Sequence, residues 1–269
     1  MAKASKAYGV EPGHPPYRLR QARYPALAED VAQFARQLHD REGRRVDLLD
    51  VGVGDGVSRR YIEIHPGSEN IDFHAADRYP HGLAGVYKNQ LWQHHPMDAE
   101  EGLPQLESNR YDIVICEQVL ERLHNTEHAM SELSRVLRPG GLLVVGVPIF
   151  PHGLHLIRKH LVPICDRLVN RRPRPHVQAF SKRKFLKLLT RKCDIDVRTT
   201  RGFRIVSGGL LRPLEYCRWW WQLNRRVGSV LPSLCVEIQV VATKRDAVPP
   251  SACHEAPARR REAPARRAA

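Results

Sequence analysis

The chain has 269 residues, 42% of them hydrophobic and 27% charged, with a formal net charge of +14 at pH 7. This length suits one α/β domain with appendages and is short for two domains. The longest strongly apolar stretch, residues 140–150, is far below the ~20 residues of a membrane-spanning helix, and the start lacks the apolar core of a secretory signal. The cysteines include no CxxC pair, which argues against a disulfide framework or a zinc site and predicts a reduced, cytoplasmic protein.

The positive charge is concentrated in two regions. Residues 246–269 form an Ala/Pro/Arg tail that repeats APARR, cannot bury a core and is therefore predicted to be disordered. The remaining excess is richest between Arg158 and Arg226. Such a region is compatible with a solvated basic face, and equally with an acidic acceptor, a nucleic acid or an anionic membrane surface.

The first part of the chain alternates between predicted helix and predicted strand. Apolar residues at helical spacing between Leu27 and Leu38 predict an amphipathic helix that ends near Gly43. Short apolar runs then predict strands at residues 46–51, 71–77, 91–95 and 111–116. Because helical segments separate them, we expect a parallel sheet with right-handed crossovers.

Caps and apolar runs predict the later elements. Asn125 or Thr126 caps a helix over about 127–137, which Arg138-Pro139-Gly140-Gly141 stops before a strand at 142–148. Residues 154–170 form an apolar and basic segment broken near Pro163, and Ser181 caps a helix over 182–192. The remaining predicted segments are a short strand at 194–198, a Trp-rich connection at 218–226 and a last strand at 234–242.

A glycine-rich turn follows the first strand directly, with Gly52, Gly54 and Gly56 in the spacing GxGxG. A turn of this kind lets the backbone approach a ligand at the carboxyl edge of a parallel sheet. Val57 stands where a dinucleotide-binding turn has its third glycine. The turn therefore favours a ligand without a pyrophosphate.

Three carboxylates fall at the ends of predicted strands, namely Asp50, Asp77 and Asp98. Asp77 is placed to accept hydrogen bonds from both hydroxyls of a ribose, and Asp98 from the amino group of an adenine. Taken singly, each is equally well explained as a helix cap or an Asx-turn. Their occurrence together favours a nucleoside-binding edge.

These segments resemble the class I S-adenosylmethionine-dependent methyltransferases, in particular the ubiquinone/menaquinone-type (methyltransferase type 11) subgroup. The runs LLDVGVGDG, AAD, MDAEEGLP, YDIVICEQVLERLHN and ELSRVLRPGGLLVVGVP carry the resemblance over about residues 44–148. It implies an α/β fold, a Rossmann-like, doubly wound seven-stranded sheet in three αβα layers with the last strand antiparallel. It also implies S-adenosyl-L-methionine as cofactor. Gly52, Gly54 and Gly56 would wrap its methionine part, Asp77 would bind the ribose, Asp98 with Ala99 the adenine, and Glu117 would lie near the donor.

The resemblance also implies a domain organisation. Residues 1–43 would form an N-terminal segment and helix, and residues 44–245 the methyltransferase domain. Within that domain, residues 148–232 would contain lid insertions on the acceptor side, and the tail at 246–269 would follow it.

The chain departs from its relatives after the fourth strand. Relatives often read E-V-L-E-H there, and some bind a metal through those carboxylates and the histidine. Here Gln118 replaces the first glutamate and Arg122 the histidine, so we predict no metal. His152 and His176 are candidates for a catalytic base or an acceptor anchor, with His124 next. The adjacent His94 and His95 would point to opposite faces of a strand, and are not expected to form a ligand pair.

The acceptor is the least determined part of the prediction. Arginines and tryptophans around an apolar stripe in residues 149–232 indicate either a lid helix that covers the sheet, or contact with a lipid-like acceptor and the inner face of an anionic membrane. We expect methyl transfer to a small-molecule or lipid-like acceptor, with the methylated atom (O, C or N) open.

Two alternatives are a nucleic-acid or protein methyltransferase that uses the basic surface, and a non-catalytic cofactor-binding protein. Residues 117–120 lack the Asn/Asp-Pro-Pro-aromatic motif of enzymes that methylate amino groups of bases, which disfavours a nucleic acid. The intact glycine turn with Asp77 argues against a chain that has lost its cofactor.

Overall fold

The computed structural model describes residues 19–54, 56–78, 93–149, 178–205 and 209–245. The candidates His152 and His176, the segment 154–170 and the tail lie outside these residues. Among the described residues, no helix is long and apolar enough to cross a membrane.

A mixed seven-stranded sheet forms the centre of the described structure. Its strands are β1 (Val46–Val51), β2 (Ile71–Asp77), β3 (Gln93–Pro96), β4 (Tyr111–Glu117), β5 (Leu137–Pro148), β6 (Ile195–Phe203) and β7 (Glu237–Lys244). They are ordered β3-β2-β1-β4-β5-β7-β6. The first five run parallel, and β7 lies antiparallel between β5 and β6. The predicted sheet, with its last strand antiparallel and inserted, is confirmed.

Helices cover both faces of the sheet. They are α1 (Arg23–Glu42), α2 (Val57–Ile62), α3 (Thr126–Val136), α4 (Lys182–Lys192) and α5 (Arg218–Val230). Residues of α1 and α2 pack on one face, and residues of α3 and α4 on the other, each in its own core cluster. The central strands contribute alternate residues to the two clusters, such as Val114 to one and Ile113 to the other. The fold therefore has the three αβα layers expected.

The helix ends that could be recognised from local sequence are confirmed. Gly43 terminates α1 at φ 65°, and its amide donates to the His39 carbonyl at 2.7 Å. Asn125, rather than Thr126, caps α3 by accepting from the amide of His128 at 3.1 Å. Ser181 caps α4 by accepting from the amide of Lys184 at 3.3 Å. These bonds satisfy backbone groups that a helix leaves unpaired at its ends.

Three local predictions need correction. The Trp-rich connection is the helix α5, and a 3-10 turn at Pro232–Leu234 delays the last strand to Glu237. The Arg138–Gly141 segment does not cap α3, because the helix ends at Val136 and Leu137 is already extended in β5. The third strand starts at Gln93, and residues 91 and 92 lie outside the described part of the chain.

A buried carboxylate ties the amino ends of the central strands together. Asp112 of β4 accepts two hydrogen bonds from Arg44, both at 2.7 Å, and one from Arg138 at 2.8 Å. It also accepts from the amide of Asp47 in β1 at 3.0 Å. Burial acts to raise the pKa of Asp112, but these hydrogen bonds hold that pKa below its usual value. The carboxylate therefore remains charged in a nearly dry position.

Replacing Asp112 with alanine should lower the free energy of unfolding by about 2–4 kcal/mol, because Arg44, Arg138 and the Asp47 amide all lose the buried acceptor that they share. Asp72→Ala is a matched control, since its ion pair with Arg45 has both side chains about half exposed. Asp72→Ala should lower the free energy of unfolding by less than about 1 kcal/mol. Urea denaturation of both variants measures the difference. Equal costs would show that the Asp112 cluster does not stabilise the sheet.

Candidate functional site

A cavity of about 590 Å³ opens at the carboxyl ends of β1, β2 and β4. The sequence-predicted cofactor residues that line it are Gly52, Gly54, Asp77, Asp98, Ala99 and Glu117. Asp50 and Gly56 do not line it. The structure thus brings together residues that are far apart in sequence, at the edge of a parallel sheet where ligands bind in open α/β folds. Their roles toward a ligand stay predictions.

The glycine turn needs glycine for two different reasons. Gly52, Gly54 and Gly56 have φ values of 74°, 55° and 72°, which disfavour any side chain. A Cβ on Gly52 would in addition overlap Val119. A Cβ on Gly54 would meet nothing closer than 4.0 Å, because it would project into open space at the cavity. Gly54 therefore leaves room that a ligand can fill.

Hydrogen bonds fix this turn against the end of β2. The amide of Gly52 donates to the carbonyl of Ala76 at 2.7 Å, and the amide of Gly54 donates to Asp77 Oδ2 at 3.0 Å. Asp98 follows β3 and forms an Asx-turn at the cavity, while its role toward an adenine stays a prediction. Its Oδ1 accepts from the amide of Glu100 at 3.0 Å, as in an Asx-turn, while the residue lines the cavity.

Asp50 and Gly56 support the turn from outside the cavity. Asp50 is buried and accepts a hydrogen bond from the Ser58 hydroxyl of α2. Burial raises the pKa of Asp50 to about 7, with the Ser58 hydrogen bond opposing the rise. Gly56 precedes α2, and its amide donates to the Val53 carbonyl at 2.9 Å. Both residues therefore shape the loop.

Glu117, the last residue of β4, belongs to a buried charged layer under the cavity. Arg23 of α1 lies between two carboxylates. Its Nε is 3.4 Å from Glu117 Oε2, and its Nη1 is 3.0 Å from Glu237 Oε2. Gln239 Nε2 donates to Glu117 Oε1 at 2.8 Å, and Arg204 pairs with Glu237. Burial raises the pKa of Glu117 to about 7, and Arg23 opposes the rise. Sequence reasoning missed Arg23 and Arg204, because no local pattern marks an arginine that pairs across the fold.

The turn after β4 supplies the remaining wall of the cavity. Gln118, Arg122 and His124 line it. Gln118 has φ 60°, a conformation uncommon for a residue with a side chain, and its amide donates to the Gly146 carbonyl at 2.8 Å. In the part of the chain that the structure describes, no group of three His, Cys, Asp or Glu side chains is arranged to hold a metal.

His94 and His95 lie on β3, the edge strand. His95 stacks on His74 of β2 with ring centroids 5.6 Å apart, and the two rings approach to 3.3 Å between His74 Nδ1 and His95 Nε2. Tyr111 meets the edge of this pair. The arrangement explains His95 as a packing residue. His74 was not singled out from the sequence, since it reads only as one position in an apolar strand.

Comparisons with known proteins agree with this architecture. Residues 49–145 match the family model described as a methyltransferase domain. The chain is 31% identical over 137 residues to a candidate S-adenosylmethionine-dependent methyltransferase of Mycolicibacterium smegmatis, covering 46% of this chain and 48% of that protein. It is 25% identical over 134 residues to the ubiquinone biosynthesis O-methyltransferase of Rickettsia typhi, covering 48% of this chain and 50% of that protein. The chain thus spans about half the length of the curated relatives it matches.

Solved structures share the fold at low sequence identity. A candidate sarcosine dimethylglycine methyltransferase from Galdieria sulphuraria matches with a TM-score of 0.55 and 17% identity, over 85% of this chain and 88% of that one. At this identity the likeness concerns the fold alone. Residues 49–145 are therefore similar to a methyltransferase domain, and the described sheet has the fold of the solved methyltransferase structure.

Arg23→Met should make stability more dependent on pH. Arg23 favours the charged forms of Glu117 and Glu237, so its loss raises the pKa of both carboxyls in the folded state. A carboxyl with a raised folded pKa destabilises the fold as pH rises above its unfolded value. The Tm deficit relative to the unsubstituted protein should therefore grow between about pH 5 and about pH 8.

Arg23→Met combined with Glu117→Gln is the matched control, because it removes one of the two carboxyls that lose their counter-ion. Its Tm deficit should depend less on pH than that of Arg23→Met alone. A deficit that is the same at every pH in both variants would contradict the assignment of a charged layer.

Proposed function

We propose that this chain transfers a methyl group from S-adenosyl-L-methionine to a small-molecule or lipid-like acceptor. The observation that carries the proposal is the hydrogen bond from Gly54 to Asp77, which holds an open glycine turn beside a carboxylate. The turn leaves room for an amino-acid moiety, and the carboxylates of Asp77 and Asp98 suit a ribose and an adenine. The residues present therefore fit this cofactor.

The cofactor supplies an activated methyl group on a sulfonium, so the chain has to position the acceptor and exclude water. The glycine turn and Asp77 would hold the donor, and Glu117, at the floor of the same cavity, would place negative charge near a cationic ligand. Alignment of two reactants in this way can supply roughly 7–11 kcal/mol without covalent catalysis. His152 and His176 remain proposals for a base where the acceptor must lose a proton.

We propose that the reaction is independent of a metal. On this part of the cavity wall, Arg122 has no acceptor atom and Gln118 has a single neutral oxygen, where a metal site would need several acceptor atoms. The Glu117 carboxylate is already engaged by Gln239 and Arg23.

Cofactor binding is tested by calorimetry with S-adenosylhomocysteine. Gly54→Val would fill the open side of the turn, and Asp77→Ala would remove a carboxylate at its edge. Each should weaken binding at least ~10-fold, a loss of about 1.4 kcal/mol.

Gly43→Val is the matched control for Gly54→Val, because Gly43 has a similar φ of 65° and nothing within 4 Å of an added Cβ. Gly43→Val should introduce the same kind of backbone strain as Gly54→Val, but its affinity for S-adenosylhomocysteine should not change. The titration of the unsubstituted protein is repeated in EDTA, where the affinity should not change. Unaltered binding by both cavity variants would refute the assignment of the cofactor.

A specific observation favours a lipid-like acceptor and contact with a membrane surface. Trp219, Leu223 and Val230 share one face of α5, and Trp219 and Val230 are 58% and 75% exposed. Residues 216–236 contain arginines and no acidic residue. Exposed tryptophan and aliphatic side chains beside arginines are typical of a helix at the interface of an anionic bilayer.

Co-sedimentation with vesicles of phosphatidylglycerol and phosphatidylcholine tests this contact. The Trp219→Ser/Leu223→Ser variant should lose most binding, while Ile64→Ser, at an exposed apolar side chain distant in sequence, should not. Salt should weaken the binding, because it screens the arginines. A third variant, with the arginines of residues 246–269 replaced by glutamine, tests the tail. If only that variant loses binding, the tail is responsible and the α5 proposal is wrong.

A further inference from the structure

We infer that Gln118 and Arg122 form a recognition site for an anionic oxygen group, a carboxylate or a phosphate, on the methyl acceptor. This inference rests on the proposed function, because it concerns the acceptor half of the same cavity. The two residues stand at the first and fifth positions of the turn after β4, and both line the cavity.

Gln118 provides a donor that the described residues leave unused. Its side-chain Nε2 is buried and has no hydrogen-bond partner there. Buried amide groups in proteins are nearly always paired, so an unpaired one beside a cavity points to a ligand atom. The backbone of Gln118 also lies in the left-handed region, where residues held under strain concentrate at functional sites.

Arg122 provides a charge without a close counter-ion in the described structure. Its side chain is exposed at the cavity, and the acidic side chain that interacts with it electrostatically is Glu121. Glu121 is buried, does not line the cavity, and accepts no hydrogen bond from Arg122. The guanidinium is therefore available at the mouth, and its planar donors match a carboxylate or a phosphate.

The acidic residues of the cavity do not satisfy these donors. Asp77, Asp98, Glu100 and Glu117 all line it, and each already receives hydrogen bonds or an ion pair from elsewhere in the chain. The turn after β4 consequently presents hydrogen-bond donors and a positive charge to the cavity, whose acidic side chains already have partners elsewhere in the chain. A ligand with acceptor oxygens and negative charge complements it.

The experiment uses the full chain saturated with S-adenosylhomocysteine, in EDTA, and measures binding of small probes by ligand-observed NMR. Benzoate and phenyl phosphate are the anionic probes, and benzamide and phenol are their neutral counterparts. At least one anionic probe should bind ~10-fold more tightly than its neutral counterpart, and the comparison of the two pairs separates a carboxylate from a phosphate.

Arg122→Gln and Gln118→Glu should each remove that preference, the second because it replaces a donor with a charged acceptor of the same shape. Arg191→Gln, at an exposed position of α4 that does not line the cavity, is the matched control and should retain it. Binding of S-adenosylhomocysteine by every variant reports on the proposed function separately. The inference is overturned if neither anion is preferred, if Arg122→Gln and Gln118→Glu keep the preference, or if Arg191→Gln loses it equally.

Discussion

The candidate site depends on one electrostatic constraint, the burial of Glu117 and Glu237 at the same edge of the sheet. Because β7 is antiparallel, its first residue lies beside the last residues of the parallel strands. Two buried carboxylates so placed require positive charge, which Arg23 supplies from the start of α1 and Arg204 from the end of β6. The layer therefore joins the first helix to the last strands and forms the floor of the cavity.

A glycine makes this layer possible. Gly146 of β5 lies between Glu117 of β4 and Gln239 of β7 in the sheet register. A Cβ at Gly146 would overlap the Glu117 carboxylate, so only glycine lets that side chain cross β5 and reach Gln239 and Arg23. Glycine therefore serves two purposes at this edge. In the turn after β1 it provides a backbone conformation and an open space, and in β5 it provides room for a neighbouring side chain.

The features that were predictable from sequence depend on local chemistry. β1 and β2 have the predicted bounds because continuous apolar runs mark strands buried on both faces, and Asn125 and Ser181 cap helices through bonds spanning three residues. The missed features depend on distant partners. Arg23 and Glu237 are 214 positions apart. The sequence predicts a connection where the structure has α5, whose apolar face is exposed and not buried against the core. The family resemblance supplied the antiparallel insertion of β7, which local patterns do not contain.

The parts of the cavity wall differ in chemical character. One part consists of the glycine turn, Asp77 and Asp98, which present open backbone and carboxylates within the matched residues 49–145. Another part of the wall presents the amide of Gln118 and the guanidinium of Arg122, which also lie within the matched region. The helix α5 lies outside the matched region and does not line this cavity. A methyl donor is common to many such domains, whereas an acceptor is selected by the groups that contact it. The donors of Gln118 and Arg122, which line the cavity, and the exposed apolar face of α5, which does not, are therefore two separate indications of the acceptor.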